Sequence, residues 1–193
     1  MNSEIRKILE GVQNGRLSVD DALLKIKMEP FEDIGYAKID LHRKSRQGAA
    51  EVVYGAGKTP EQISGILNVL RNHGDGPFLI TRMSPDAAEF VKNRHPLEYF
   101  PDARIGVVGD VPAPDGLGTV VVATGGTGDL PVAEEAALTA QVLGNEVVRL
   151  YDVGVAGLHR TLAHLDVIMS ASVIVAVAGM EGALASVLGG LVD

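Results

Sequence analysis

Three glycine-bearing turns near the end of the chain hold the residues best suited to chemistry. They are Gly125-Gly126-Thr127-Gly128-Asp129, Gly154-Val155-Ala156-Gly157-Leu158-His159-Arg160 and Gly179-Met180-Glu181-Gly182. Each follows an apolar run and leads into a helical pattern, so each puts free N–H groups at a helix start, where an anion is favoured. Glycine lets backbone approach a phosphate closely, because no Cβ intervenes. Three such turns converging on one place point to a nucleotide or a sugar phosphate. The first turn also reads as a plain strand-to-helix connection, with Asp129 capping a helix that begins at Pro131. Its spacing fits neither a GxxxxGK[ST] loop nor GxGxxG, so neither a P-loop NTPase nor a dinucleotide oxidoreductase is supported.

The side chains in these turns carry distinct readings. His159 and Arg160 start a helix, where positive charge opposes the dipole. Proton transfer by His159 explains that placement, since imidazole titrates near neutrality, and so does simple exposure. Glu181 is an acid in an otherwise apolar, glycine-bounded turn. Such a carboxylate binds Mg²⁺, positions a substrate, or merely complements a helix N-terminus. A basic run, DLHRKSRQG, places Asp40, Arg43 and Arg46 at three-residue intervals. It reads as a solvated helix face or as a phosphate or carboxylate clamp, since Arg presents a bidentate fork. His42, His73, His95 and His164 show no HxxxH or HxH pairing, which argues against a dedicated zinc site.

These turns need a scaffold that brings them to one edge. Ile5, Ile8, Leu9 and Val12 recur at helical spacing, with Gly15 as a stop. Ser18 before Asp21 starts a second short helix through Lys27, and Pro30 ends that region. From Glu51 the pattern alternates between strand and helix. EVVYG, PFLIT and ARIGVVG read as strands. Thr59-Pro60 with Gln62 forms a capping box for a helix to about His73, and Ser84-Pro85 starts another. Asp110–Gly118 reads as a linker between an accessory region, 1–110, and a catalytic region, 119–193. In the second region TVVVAT, EVVRL and SVIVAV each precede a glycine turn and one helix. Continuous apolar strands of this kind belong to parallel sheets covered on both faces. The expected fold is α/β: a small N-terminal α/β domain followed by a doubly wound, three-layer parallel sheet. LGGLVD ends a helix with no strand after it, from which a C-terminally truncated chain is expected.

Composition removes several function classes. The chain has 193 residues, 46% of them hydrophobic but only 4% aromatic, so the core is aliphatic. A net charge of −8 argues against a dedicated nucleic-acid binder. With no cysteine, disulfides and thiolate metal sites are excluded. The N-terminus has no apolar signal core. The most apolar window, Ala171–Val192, carries Glu181 and reads as strand, turn and helix rather than a membrane span. A soluble cytoplasmic protein is expected.

GGTGDLPVAEEAA, VGVAGLHR and VAGMEGALASVLGGL together resemble the catalytic half of the LarB family, the carboxylase/hydrolases of nickel-pincer nucleotide cofactor synthesis. They resemble more distantly the PurE-like aminoimidazole ribonucleotide carboxylases. Asp129 matches the acidic member of the nucleotide site in those enzymes, and His159 with Arg160 the basic pair. Gly128 and Gly157 stand where the purine enzymes carry serines, and Glu181 falls in their small-residue turn. Both departures favour LarB. So do ILEGV, DLHRKSRQGAAEVVYGAGKTPEQ and LITRMSPDAA, which look like the LarB accessory domain.

The resemblance implies carboxylation of nicotinic acid adenine dinucleotide at ring C5. Hydrolysis of its phosphoanhydride releases AMP and leaves a biscarboxylic pyridinium mononucleotide. CO₂ or bicarbonate is the implied co-substrate and Mg²⁺, on Glu181, the implied metal; no tightly bound organic cofactor is expected. Implied catalytic residues are Glu181, His159 and Asp129. Implied substrate contacts are Thr124, Gly125, Gly126, Thr127, Gly128, Gly157, Arg160, Gly179 and Met180, with Arg43 and Arg46 from the basic run. In LarB a cysteine thiolate adds at ring C4 to make C5 nucleophilic. These residues contain none, so they are expected to be incompetent for the full reaction. Related carboxylases form octamers, so a homo-oligomer is implied, and small residues in Ala183–Leu191 suit close packing. No nucleic-acid or membrane partner is expected. Two alternatives stay open: carboxylation of aminoimidazole ribonucleotide in purine synthesis, and a non-catalytic nucleotide-binding or assembly module.

Overall fold

A computed structural model describes residues 3–28, 31–41, 43, 51–74 and 76–192. Arg46 and His42 lie outside the described residues. The chain divides into two compact units, Met1–Glu51 and Val52–Asp193.

The first unit pairs helices α1 (Ser3–Gln13) and α2 (Val19–Met28). The Ser18 hydroxyl starts α2 by accepting the Asp21 N–H at 3.0 Å. An antiparallel hairpin of β1 (Phe31–Asp33) and β2 (Lys38–Asp40) follows, which the sequence pattern did not announce. Its strands are three residues each, too short to show alternation, and its turn is set by Gly35 at φ 86°. Arg43 lies 3.6 Å from Glu51.

The second unit holds two sheets. The four-stranded one has the order β3-β4-β6-β5, built from β3 (Val52–Tyr54), β4 (Phe78–Thr81), β5 (Leu97–Phe100) and β6 (Ile105–Val108). β3 and β4 are parallel, whereas β6 runs antiparallel to both β4 and β5. Two helices, α3 (Pro60–His73) and α4 (Pro85–Lys92), begin as their caps dictate. Thr59 and Gln62 form the full reciprocal box, and Ser84 accepts the Ala87 N–H at 3.2 Å. In this unit β5 is the strand that sequence reading missed. LEYF mixes Glu98 with aromatic residues at a tight corner, and its strand character comes from pairing with β6.

The three-stranded sheet is wholly parallel, in the order β8-β7-β9: β7 (Thr119–Thr124), β8 (Glu146–Leu150) and β9 (Val173–Val177). Helix α5 (Leu130–Val142) covers one face, burying Ala133 and Ala137 against Val122. The other face packs Val121 and Ala123 against Ile168 of α7 (Leu165–Ser170) and against Leu184 and Leu188 of α8 (Ala183–Gly189). This is α/β architecture with helices on both faces, as the apolar strand runs required. The single helix expected after β8 is instead two: α6 (Leu158–Leu162) and α7. Thr161 is fully buried and donates to the Val153 carbonyl at 2.8 Å, tying α6 to its turn while Ile168 anchors α7 in the core.

Helix α5 belongs to both sheets. Its Leu138 and Val142 pack against Leu79, Ala103, Ile105 and Val107 of the four-stranded sheet. Arg82, at φ 52° after β4, holds Glu135 of α5 at 2.8 Å. The segment expected as a linker, Asp110–Gly118, lies within this compact unit. The Asp115 and Gly116 N–H groups donate to the Gly144 carbonyl at 2.9 and 3.2 Å, pinning it to the α5–β8 turn.

Candidate functional site

The chain leaves central β7 to form β8 on one side, then crosses back to place β9 on the other. Ligands in such open sheets bind beyond the strands' carboxyl ends, where the connections diverge. A cleft of about 310 Å³ opens there, lined by Gly125, Gly126 and Asp129 after β7, Gly154 to Ala156 and Arg160 after β8, and Ala178 to Glu181 after β9. The three turns singled out from sequence therefore share one cavity.

Close backbone approach builds it. A Cβ on Gly154 would collide with the Gly125 carbonyl, so that pair of turns meets only because residue 154 is glycine. The Asp129 carboxylate lies between the first and third turns. Its Oδ2 accepts the Gly126 N–H at 2.9 Å, and a Cβ on Gly179 would stand 3.9 Å from its Oδ1. Gly125 donates to the Val177 carbonyl at 3.0 Å. Two of the four turn amides expected to cradle phosphate thus serve the protein itself. The Thr127 and Gly128 amides have no acceptor among the described residues. Asp129 makes no side-chain cap to α5; it is already an anion at that helix N-terminus.

Of the other predicted residues, some line the cleft, Thr124 supports it, and Thr127, Gly128, Gly157 and His159 lie outside its lining. Arg160 lines the cleft, and its NH1 holds Asp152 Oδ2 at 2.7 Å. His159 is exposed and outside the lining, although a Cβ on Gly157 would come within 3.2 Å of its ring and 3.0 Å of Arg160 Nε. Glycine at 157 thus lets both side chains fold back across the turn. Thr124 is 0% exposed, and its Oγ1 accepts the Asp152 N–H at 2.9 Å, so it supports the site from beneath. Glu181 and Met180 line the cleft from a turn closed by Gly182 N–H to Gly179 O at 3.1 Å. Met180 has φ 55° and is fully exposed, a left-handed conformation that a side chain adopts at a cost. Arg43 belongs to the other compact unit.

One residue escaped the sequence reading. Asp152 stands two residues after the end of β8 with φ 58°. Asp152 sits near the end of its strand much as Gly125 sits at the end of β7, and that register is the signal that could have found it. Beside it, burial first and then Glu134 push the Tyr151 hydroxyl up to about 12. That hydroxyl donates to Glu134 at 2.7 Å, and Arg149 holds the same carboxylate at 3.1 Å. Tyr151 therefore stays protonated at neutral pH and is a brace on α5, not a base.

Among the described residues no three His, Asp or Glu side chains gather to hold a metal, and no helix is long and apolar enough to cross a membrane. A family profile described as "LarB/PurE-like N-terminal domain" matches residues 31–110. The chain is also 33% identical over 202 residues to "Uncharacterized protein MJ0165" of Methanocaldococcus jannaschii, an alignment covering 100% of this chain and 79% of that protein.

Proposed function

Because this chain belongs to the LarB/PurE-like family, a carboxylase-type group, we propose that its cleft binds nicotinic acid adenine dinucleotide for carboxylation at ring C5 and phosphoanhydride hydrolysis. The observation that carries this reading is the pairing of carboxylates, Asp129 and Glu181, with one guanidinium, Arg160, around one cleft. A nicotinate ring is a pyridinium cation bearing a carboxylate, so it offers a charge for each. A neutral aminoimidazole offers no cation to the carboxylates, and the serines that would hold it are replaced by Gly128 and Gly157.

The residues divide the work by their chemistry. The Thr127 and Gly128 amides, exposed beside the cleft rather than in its lining, receive a phosphate oxygen at the start of α5, the only one of the three turn-led helices long enough to sum an appreciable dipole. Asp129 accepts from ribose hydroxyls while keeping its hold on Gly126. Carboxylation, once the ring is activated by a thiolate that these 193 residues do not supply, forms a C–C bond between C5 and CO₂ and releases the C5 proton. Glu181 accepts that proton, with His159 as the alternative acceptor at the cleft edge. Water attack on the phosphoanhydride gives AMP and the biscarboxylic mononucleotide. These side chains do not fit a resident Mg²⁺. The 193 residues contain no cysteine, so the ring-activating thiolate of LarB is not among them.

A mass-resolved assay of the gene's complete reading frame with the dinucleotide, Mg²⁺ and labelled bicarbonate tests the proposal. Labelled dicarboxylated mononucleotide with stoichiometric AMP supports it. Label entering aminoimidazole ribonucleotide instead would move the protein to purine synthesis. Tight nucleotide binding without either product would leave a binding module.

A further inference from the structure

We infer that Asp152 is a positioning residue that aims Arg160 at an anionic oxyacid group of the nucleotide, a deeper statement of the same cleft that rests on the function proposed above. The geometry is built from the core outward. Thr124 is fully buried at the end of β7, and its Oγ1 accepts the Asp152 N–H at 2.9 Å while its carbonyl accepts the Val153 N–H at 2.9 Å. On the far side, buried Thr161 donates to the Val153 carbonyl at 2.8 Å. Residues 152 and 153 are thus clamped by hydroxyls from two elements, and Asp152 is held at φ 58°, where a non-glycine residue rarely sits.

That backbone sends the carboxylate toward the guanidinium. Asp152 Oδ2 pairs with Arg160 NH1 at 2.7 Å. Arg160 Nε and NH2 lie over Gly157, where an added Cβ would meet them at 3.0 and 3.5 Å. The guanidinium therefore lies against a carboxylate on one side and over bare backbone at Gly157 on another. Its remaining donors stay available at the cleft wall that Arg160 lines. Both partners are substantially exposed, at 37% and 54%. Surface pairs of that kind contribute little to stability. A strained backbone and two buried hydroxyls are a large provision for a pair that hardly stabilises the fold. Orientation of Arg160 for a planar, two-oxygen acceptor accounts for it, because a guanidinium binds carboxylate or phosphate best through two parallel N–H bonds. The acceptor is either the ring carboxylate or a phosphate.

Asp152→Asn in the full-length protein tests this, since Asn tolerates the left-handed region and keeps the N–H bond to Thr124. Three titrations separate the sources: nicotinic acid adenine dinucleotide, nicotinamide adenine dinucleotide with a carboxamide in place of the carboxylate, and nicotinic acid riboside without phosphate. The substitution is expected to weaken the acid dinucleotide about tenfold, the worth of one charge-assisted hydrogen bond, with an unchanged melting temperature and partial rescue by Asp152→Glu. Weakening confined to the two carboxylate-bearing ligands assigns Arg160 to the ring carboxylate; weakening confined to the two dinucleotides assigns it to phosphate. Equal or tighter binding of all three overturns the inference, tighter binding meaning that Asp152 competes with the ligand. If wild-type protein binds none of them, the proposed function fails. Peptide-resolved modification of Arg160 by an arginine reagent then still decides, with a several-fold rise in Asp152→Asn expected and an unchanged rate overturning it.

Discussion

The two sheets of the second unit use the same local plan, strand to turn to helix, and finish it in opposite ways. Around the four-stranded sheet each helix start is closed by its own side chain: Thr59 for α3 and Ser84 for α4. Around the three-stranded sheet α5, α6 and α8 start after Asp129, Gly157 and Gly182 with no side-chain cap. Closed starts give one of the free helix N–H groups an acceptor within the chain and set a side chain where a ligand would approach. Open starts cost local stability and leave donors and close backbone for a bound group. The contrast separates scaffold from site before any chemistry is invoked. The scaffold half also buries polar groups only where they are paired. His95, 4% exposed, bonds Ser64 Oγ through Nε2 at 2.9 Å and Arg71 NH1 through Nδ1 at 3.4 Å. Arg71 can only donate, so Nδ1 accepts and the Nε2 hydrogen goes to Ser64; His95 is neutral and is not a base for that serine.

The strongest test of the contrast lies on the open side. In the full-length protein, Glu181→Ala is expected to lower turnover by roughly a hundredfold or more, the scale of a lost general base, while dinucleotide affinity in a titration changes far less. Unchanged turnover would remove Glu181 from the mechanism. Next comes Gly154→Ala, whose methyl must displace the Gly125 carbonyl. It should cost about 2 kcal/mol in denaturant unfolding and abolish nucleotide binding together, since the two turns can no longer meet.

A matched pair sharpens the comparison further. Thr59→Ala should cost about 1 kcal/mol of stability with binding untouched. Asp129→Ala should weaken binding with a smaller change in stability, because it caps nothing on α5. A reversal of that pattern would dissolve the distinction between closed and open helix starts. The smallest effect concerns pH. Burial, then Arg71, lowers the His95 pKa from 6.5, so the unfolded chain takes up a proton more readily than the fold. Stability is complete above that unfolded value and declines as pH falls toward the folded one. Thermal melts of His95→Gln between neutral and mildly acidic pH should show a shallower decline than wild type.

What could be read from residues alone was local. Thr59-Pro60 with Gln62, and Ser84-Pro85, fix helix starts within four residues of chain. The apolar runs TVVVAT and VIVAV mark strands covered on both faces, and glycine marks the turns that follow. These follow from sterics and hydrogen bonding between near neighbours, so a linear pattern carries them. The three turns could also be nominated as a site, because sheet strands of one direction bring their ends to one edge.

Partners far apart in the chain were decided only by the tertiary structure. Reversal of β6 against β4, and the strand character of Leu97–Phe100, depend on which edge is free to pair. Helix α5 faces two sheets because Ala133 and Ala137 fit one and Leu138 and Val142 the other, a choice no periodicity declares. Asp152 is set at the site by Thr124, 28 residues earlier, whose hydroxyl holds its amide. Local rules choose elements; packing and charge between distant residues choose which of their side chains meet a ligand.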